Sequence, residues 1–207
     1  MEFWNDEATN KSWKDLIELH HKIKFVLIGG CQIYTKLHKS KDIDIIIDYD
    51  TLGHLQSLNY IINKNERLKK YEIKLLDDID IDIYLPSYSH FLIPIKDIIN
   101  KSIIYKGFKI PNQEMLLILK LDAFQDRQNT TKGIKDSIDI LGLLFYSDIN
   151  LRLLKKYSSD YNIEWVMKLA LKILMDFDLQ FVKYLNLDLH TFSKLKKKYV
   201  ENITNLL

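Results

Sequence analysis

A single cysteine, Cys31, in 207 residues excludes an intramolecular disulfide framework. It points to a reducing, cytoplasmic setting. An excess of either charge is missing too. Lys and Arg total 30 against 28 Asp and Glu, a net charge of +2. That is too mild to argue for a nucleic-acid partner by itself, and too basic for an acidic disordered tail. Long apolar runs are absent: the longest, near "MLLILKLDAF", falls far short of a bilayer span. The first residues, "MEFWNDEATNK", lack a basic segment followed by an apolar core, so neither a signal peptide nor a membrane partner is expected. There is no internal repeat and no low-complexity tract. Hydrophobic residues, by contrast, make up 47% of the chain and aromatics 12%. That suffices for a packed core in one domain or two small ones.

The pattern along the chain changes near residue 110. Before it, helix-like and strand-like stretches alternate. "SWKDLIELHHK" (12–22) has a Ser cap and helical apolar spacing. "KFVLI" (24–28) reads as a short strand, Gly29-Gly30 as a turn, and "CQIYTKLH" as a short helix. "DIDIIID" (42–48) reads as a central strand, since Ile43, Ile45 and Ile47 line one face and Ile46 the other. A helix is expected over 51–65. "RLKKYEIKLL" and "IDIDIYL" flank Asp77-Asp78 as a hairpin. Beyond Pro111, "NQEMLLILKLDAFQDR" (112–127) is a helix, "QNTTKG" a polar break, and the remainder from Ile134 carries helical patterns with Lys-rich faces. The expected architecture is therefore α+β (α/β): a small mixed-sheet domain over 1–110, followed by a helical bundle over 111–207.

Two features in the first part carry chemistry. A glycine pair between strand and helix lets backbone N–H groups approach an anion, with the helix N-terminus adding positive potential. Asp42 and Asp44 then lie two apart in a strand pattern, hence on one face, where like charges repel unless a cation sits between them. Hard divalent cations such as Mg²⁺ suit carboxylates together with substrate phosphate. Downstream, Asp78, Asp80 and Asp82 alternate with isoleucines. Alone they read as a solvated strand face; after the Asp42/Asp44 pair they are candidates for a third ligand.

This arrangement of Gly29-Gly30, Asp42-Ile43-Asp44 and a later Asp80/Asp82 strand resembles the DNA polymerase β-type nucleotidyltransferase superfamily. More narrowly, it resembles the stand-alone prokaryotic members that include a type IV toxin-like group. "KLDAFQDRQNTTKGIKDSIDILGLL", with Lys120, Lys135, Asp136 and Asp139, is similar to their helical part. The likeness covers about residues 23–145. It departs at Cys31, where the family often has Ser or Ala, and in offering Lys36, Lys39 and Lys41 where an arginine is common.

The resemblance implies transfer of a nucleoside monophosphate from an NTP to a hydroxyl acceptor, an EC 2.7.7-type reaction using two Mg²⁺ ions. It implies Asp42, Asp44 and Asp82 as catalytic and metal-binding residues, with Asp80 the alternative third carboxylate. Gly29, Gly30, Ser40 and Lys120 are implied to contact the nucleotide. Expected acceptors are an RNA 3′ end such as that of tRNA, a protein side chain or a small molecule, and a cognate antitoxin is an expected partner. The competing expectation is a non-catalytic nucleotide-binding or antitoxin-like module of the same fold. A metal-dependent phosphohydrolase is disfavoured by the glycine turn and by the absence of a histidine cluster.

Other residues read as structural. His20-His21 suits a helix C-terminus and has no partners at zinc spacing. Asp136 and Asp139 read as a structural cluster with Lys135. Tyr157, Tyr161 and Trp165 read as core rather than a base-stacking platform. The lysines of "KLKKK" (194–198) read as a solvated helix face.

Overall fold

The computed structural model describes residues 6–29, 42–75 and 79–207. Among them, the residues up to Asn112 form one compact unit, and Gln113–Leu207 belong to a second. The fold class is α+β, with a mixed sheet and many helices.

The first unit is built on a five-stranded sheet of order β1-β2-β5-β4-β3. Its strands are β1 (Val26–Leu27), β2 (Ile43–Ile46), β3 (Ile62–Asn65), β4 (Lys70–Lys74) and β5 (Asp80–Tyr84). β2 and β5 pair in parallel; the other pairs are antiparallel. Alternation decides the faces. Ile43, Ile45, Ile73, Ile81 and Ile83 are all at most 3% exposed and make the apolar face. Fully burying each such side chain contributes about 1.5–3 kcal/mol. The intervening residues, Asp44, Glu72 and Asp82, are left on the opposite face. Helix α1 (Asp6–Lys22) buries Leu16 and Leu19 and presents His20, which packs on Phe25 and Phe108 at 5.5 and 4.9 Å between ring centroids. His20 is thus an aromatic-packing residue.

The helix expected over 51–65 is shorter and starts earlier. Helix α2 runs Tyr49–Ser57, with the Asp48 carboxylate accepting from the Thr51 amide at 2.7 Å. It stops because Ser57 Oγ donates to the His54 carbonyl and Asn59 adopts a left-handed φ of 64°. Residues 62–65 are then the edge strand β3, and Lys69, at φ 49°, lies in the turn into β4. Three further elements escaped the sequence pattern. Helix α3 (Ile95–Lys101) follows Pro94, and strands β6 (Ile103–Tyr105) and β7 (Phe108–Ile110) form a separate hairpin. The hairpin turn is Lys106-Gly107, both at positive φ (49° and 85°), the combination that matches strand twist in a two-residue loop.

The second unit is helical: α4 (Gln113–Arg127), α5 (Thr131–Tyr146), α6 (Leu151–Asp160), α7 (Trp165–Asp176), a 3₁₀ helix (Leu179–Leu185) and α8 (Leu189–Thr204). The polar break between α4 and α5 is a tight corner. Thr130 Oγ1 accepts from the Gly133 amide and donates to the Arg127 carbonyl. A Cβ on Gly133 would lie 2.1 Å from that carbonyl oxygen, so only glycine fits. Tyr157 is buried, as a core residue should be. Among the described residues no helix is long and apolar enough to cross a membrane.

Candidate active site

Register assembles the polar face of the sheet. Asp44 on β2 lies opposite Asp82 on β5, Asp82 opposite Glu72 on β4, and Glu72 opposite Asn63 on β3. Three carboxylates from three adjacent strands therefore stand in one row. Asp80, two residues before Asp82, pairs instead with Lys74. Asp42 precedes β2 by one residue and is exposed, so the strand alternation that would align it with Asp44 does not extend to it.

Behind Asp44 the chain is bare. A Cβ placed on Gly29 would come within 2.6 Å of Asp44 Oδ2, and the Ile28 amide donates to the Asp44 carbonyl at 2.9 Å. The missing side chain leaves the carboxylate room against the β1 turn. Tyr84, two residues after Asp82, donates its hydroxyl to Asp44 Oδ1 at 3.4 Å. Gly30 and Ser40, together with Cys31, Lys36, Lys39, Lys41 and Asp78, lie outside the described residues.

Lys70 and Glu72 were not singled out from the sequence. Lys70 Nζ donates to Asp82 Oδ2 at 2.6 Å and lies 3.1 Å from Glu72 Oε1. Asn65 Nδ2 donates to the same Glu72 oxygen at 2.8 Å. The lysine side chain is 12% exposed and that of Asp82 16%. The available signal was the alternation in "KYEIK", which puts Lys70, Glu72 and Lys74 on one face of a strand.

Electrostatics follow from this packing. Burial pushes the Asp82 carboxyl up to about 6; the Lys70 hydrogen bond opposes the rise, and the Asp44 and Glu72 charges add to it. Burial pulls Lys70 down, but its hydrogen bonds and charge attraction to Asp82 and Glu72 outweigh this and raise it. Glu72 is held low, first by the Asn65 hydrogen bond and, against some desolvation, by Lys70. At neutral pH the trio is thus a half-buried ammonium between two carboxylates.

The chain is similar in fold to JHP933 from Helicobacter pylori. The two share 18% identity at a TM-score of 0.53, over 98% of this chain and 94% of that one. Two fainter likenesses are an antigenic nucleotidyltransferase-like protein from Paracoccidioides brasiliensis (15% identity, TM-score 0.48, 88% and 93% covered) and the lincomycin-bound lincosamide antibiotic adenylyltransferase LnuA (21%, 0.44, 66% and 97%). At such identities a likeness speaks for fold alone, and the last two fall below the level at which it supports even that. No protein-family model and no curated protein sequence matches the chain.

Whether these residues suit a metal ion can be judged from their donors. Among the described residues no group of three or more His, Cys, Asp or Glu side chains converges to hold one. Asp44 and Asp82 nevertheless offer hard oxygens from register-paired positions, with the Asp44 carboxylate seated in the space that Gly29 leaves. Such a pair fits Mg²⁺ held jointly by two carboxylates and substrate phosphate. It does not fit a resident ion caged by protein alone.

Lys120 belongs to the second unit. Its Nζ lies 2.7 Å from Asp139 and 3.9 Å from Asp136, and Arg127 Nη2 lies 2.9 Å from the other Asp136 oxygen. Asp136 is 4% exposed, and burial raises its carboxyl against the pull of Lys120 and Arg127. This lysine is therefore tied into an ion cluster between α4 and α5.

Proposed function

We propose that the chain is a nucleotidyltransferase, moving a nucleoside monophosphate from an NTP to a hydroxyl acceptor. The observation that carries this reading is the register pairing of Asp44 with Asp82, backed by the unsubstituted Gly29. In the reaction the acceptor oxygen forms a bond to the α-phosphorus, the bond from that phosphorus to the bridging oxygen breaks, and pyrophosphate leaves. Asp44 and Asp82, with the exposed Asp42 ahead of the strand, would hold Mg²⁺, which when bound neutralises phosphate charge and acidifies the acceptor hydroxyl.

The protein's own groups do the rest. The Gly29 turn lets the substrate approach Asp44 closely. Asp82, about 6 in its pKa, is mostly ionised at neutral pH and accepts the proton released by the acceptor. Burial of the row strengthens each of these charge interactions. Gly30 and Ser40 are proposed nucleotide contacts, and the acceptor is an RNA 3′ end such as that of tRNA, a protein side chain or a small molecule.

Incubation with each α-³²P-NTP, Mg²⁺ and total RNA or lysate tests the proposal. Label should enter one acceptor fraction with the wild type and be lost in Asp44→Asn. The alternative is a non-catalytic nucleotide-binding or antitoxin-like interaction module of the same fold. NTP binding without label in any fraction would select it.

A further inference from the structure

Charge is spread unevenly over the chain. Helices α6 and α8 together hold seven Lys and Arg against two acids, Asp160 and Glu201, an excess of five positive charges. The whole chain has an excess of only two, so the residues outside these helices are net negative by three. Such an asymmetry marks a surface for a polyanion. The cations are ordered as well. On α8, His190, Lys194, Lys197 and Lys198 follow at helical spacing, and all are exposed. On α6, Arg152, Lys155 and Lys156 do the same. Two contacts set these helices side by side. Lys155 Nζ donates to the Leu206 carbonyl, just past the end of α8. Asp148, just ahead of α6, acts on Tyr199, whose hydroxyl is raised first by burial and then by that charge. The steps from 148 to 155 and from 199 to 206 are equal, so the two helices run in the same direction. Lys198, Asn202 and Leu206 succeed one another at four-residue steps, so the lysine row of α8 ends where the α6 stripe meets it. Among the described residues, no carboxylate lies within ion-pairing distance of Arg152, Lys194 or Lys198.

We infer that this two-helix face docks the phosphate backbone of RNA and that the hydroxyl acceptor is an RNA, the second half resting on the nucleotidyl-transfer reading. Lysine and arginine stripes suit a chain of regularly repeated negative charges. Neither stripe contains an apolar side chain, which a helix lying in a bilayer surface requires. RNA carries a terminal hydroxyl along with its phosphates, whereas a small-molecule acceptor has no use for a charged surface of this length.

Fluorescence anisotropy of the full chain with labelled oligouridylate tests the docking. The triple variant Arg152→Gln/Lys194→Gln/Lys198→Gln removes three exposed charges from the face. A charge-matched control, Lys14→Gln/Lys24→Gln/Lys96→Gln, removes three exposed charges from the first unit. The wild type should bind, with an affinity that falls steeply with salt. The face variant should bind about tenfold more weakly or worse, and its logarithmic salt slope should be shallower by about 2. The control should stay near wild type, and circular dichroism checks that both are folded. A wild type that binds no RNA would overturn the inference outright, whatever the variants do. So would equal weakening in the two variants, or none in the first. Polyglutamate or phosphatidylserine vesicles that compete as well as RNA would overturn it in favour of an acidic protein or a membrane. In the α-³²P-NTP assay the face variant should lose label in RNA while keeping its KM for NTP. Label in a protein or small-molecule fraction would overturn the acceptor assignment and leave nucleotidyl transfer intact. RNA binding without label in any fraction would overturn the transfer reading and leave the docking face standing.

Discussion

Gly29 is the residue whose role is easiest to isolate. Its missing Cβ would sit 2.6 Å from Asp44 Oδ2 and 3.2 Å from Asp44 Cβ. The carboxylate can swing aside, so Gly29→Ala should cost only about 1 kcal/mol of stability. Transfer should nonetheless fall by about tenfold or more, because the displaced carboxylate is the one that meets the substrate. Thermal melts beside the labelling assay would check both halves; wild-type transfer in this variant would remove Gly29 from the site. Asp82 gives a second test, in pH. Its folded value of about 6 lies above the unfolded 3.8, so the native state holds its proton more tightly. The stability this group contributes is complete below about pH 3.8 and is lost as pH rises through 6. In metal-free protein the stability difference between wild type and Asp82→Asn should therefore shrink from pH 4 to 6 and then level off. A difference that grows over that interval would mean that Lys70, not burial, controls the group. The aspartates were legible because alternation with isoleucine sets their face. Lys70 and Glu72 were not, because an ordinary "KYEIK" strand gives no sign of which neighbour it will pair with.

At the scale of elements, the sequence carried the strands that bury isoleucines and the helices with apolar spacing, and missed those fixed by turns; Ser12, read as a cap, lies inside α1 and is buried there. "DIDIIID" and "IDIDIYL" were readable from their period of two, and they became β2 and β5 in the sheet. The expected helix over 51–65 failed because Asn59 and the β3–β4 turn, not apolar spacing, decide that stretch. β6 and β7 were hidden because each is three residues long and their signal is a Lys-Gly turn. In the second unit the corner between α4 and α5 hinges on one residue. Gly133→Ala would force a Cβ to within 2.1 Å of backbone oxygen, which cannot yield as a side chain tip does. Urea unfolding should show a loss of about 3 kcal/mol or more. An unchanged midpoint would mean that the corner is freely deformable. Ile81→Ala, removing a side chain 1% exposed at the centre of the first unit's sheet, should cost about 2–5 kcal/mol by the same measurement.

For the whole molecule, an α+β unit carries the carboxylate row in a chain whose fold resembles that of JHP933. The Lys70 ammonium already balances charge beside Asp82, so the fold is expected not to depend on a metal ion. Chelation with EDTA should abolish transfer yet leave the melting temperature unchanged, whereas Mg²⁺ with NTP should raise it by mass action. A fall in melting temperature on chelation would reveal a structural ion that the row does not accommodate. The most direct test of the central claim compares single-turnover transfer by Asp44→Asn, Asp82→Asn and Asp80→Asn. The register pairs Asp44 with Asp82 and gives Asp80 to Lys74. The first two variants should lose about 10³-fold in rate, while Asp80→Asn keeps most of its activity. Loss in Asp80→Asn with Asp82→Asn still active would contradict the account.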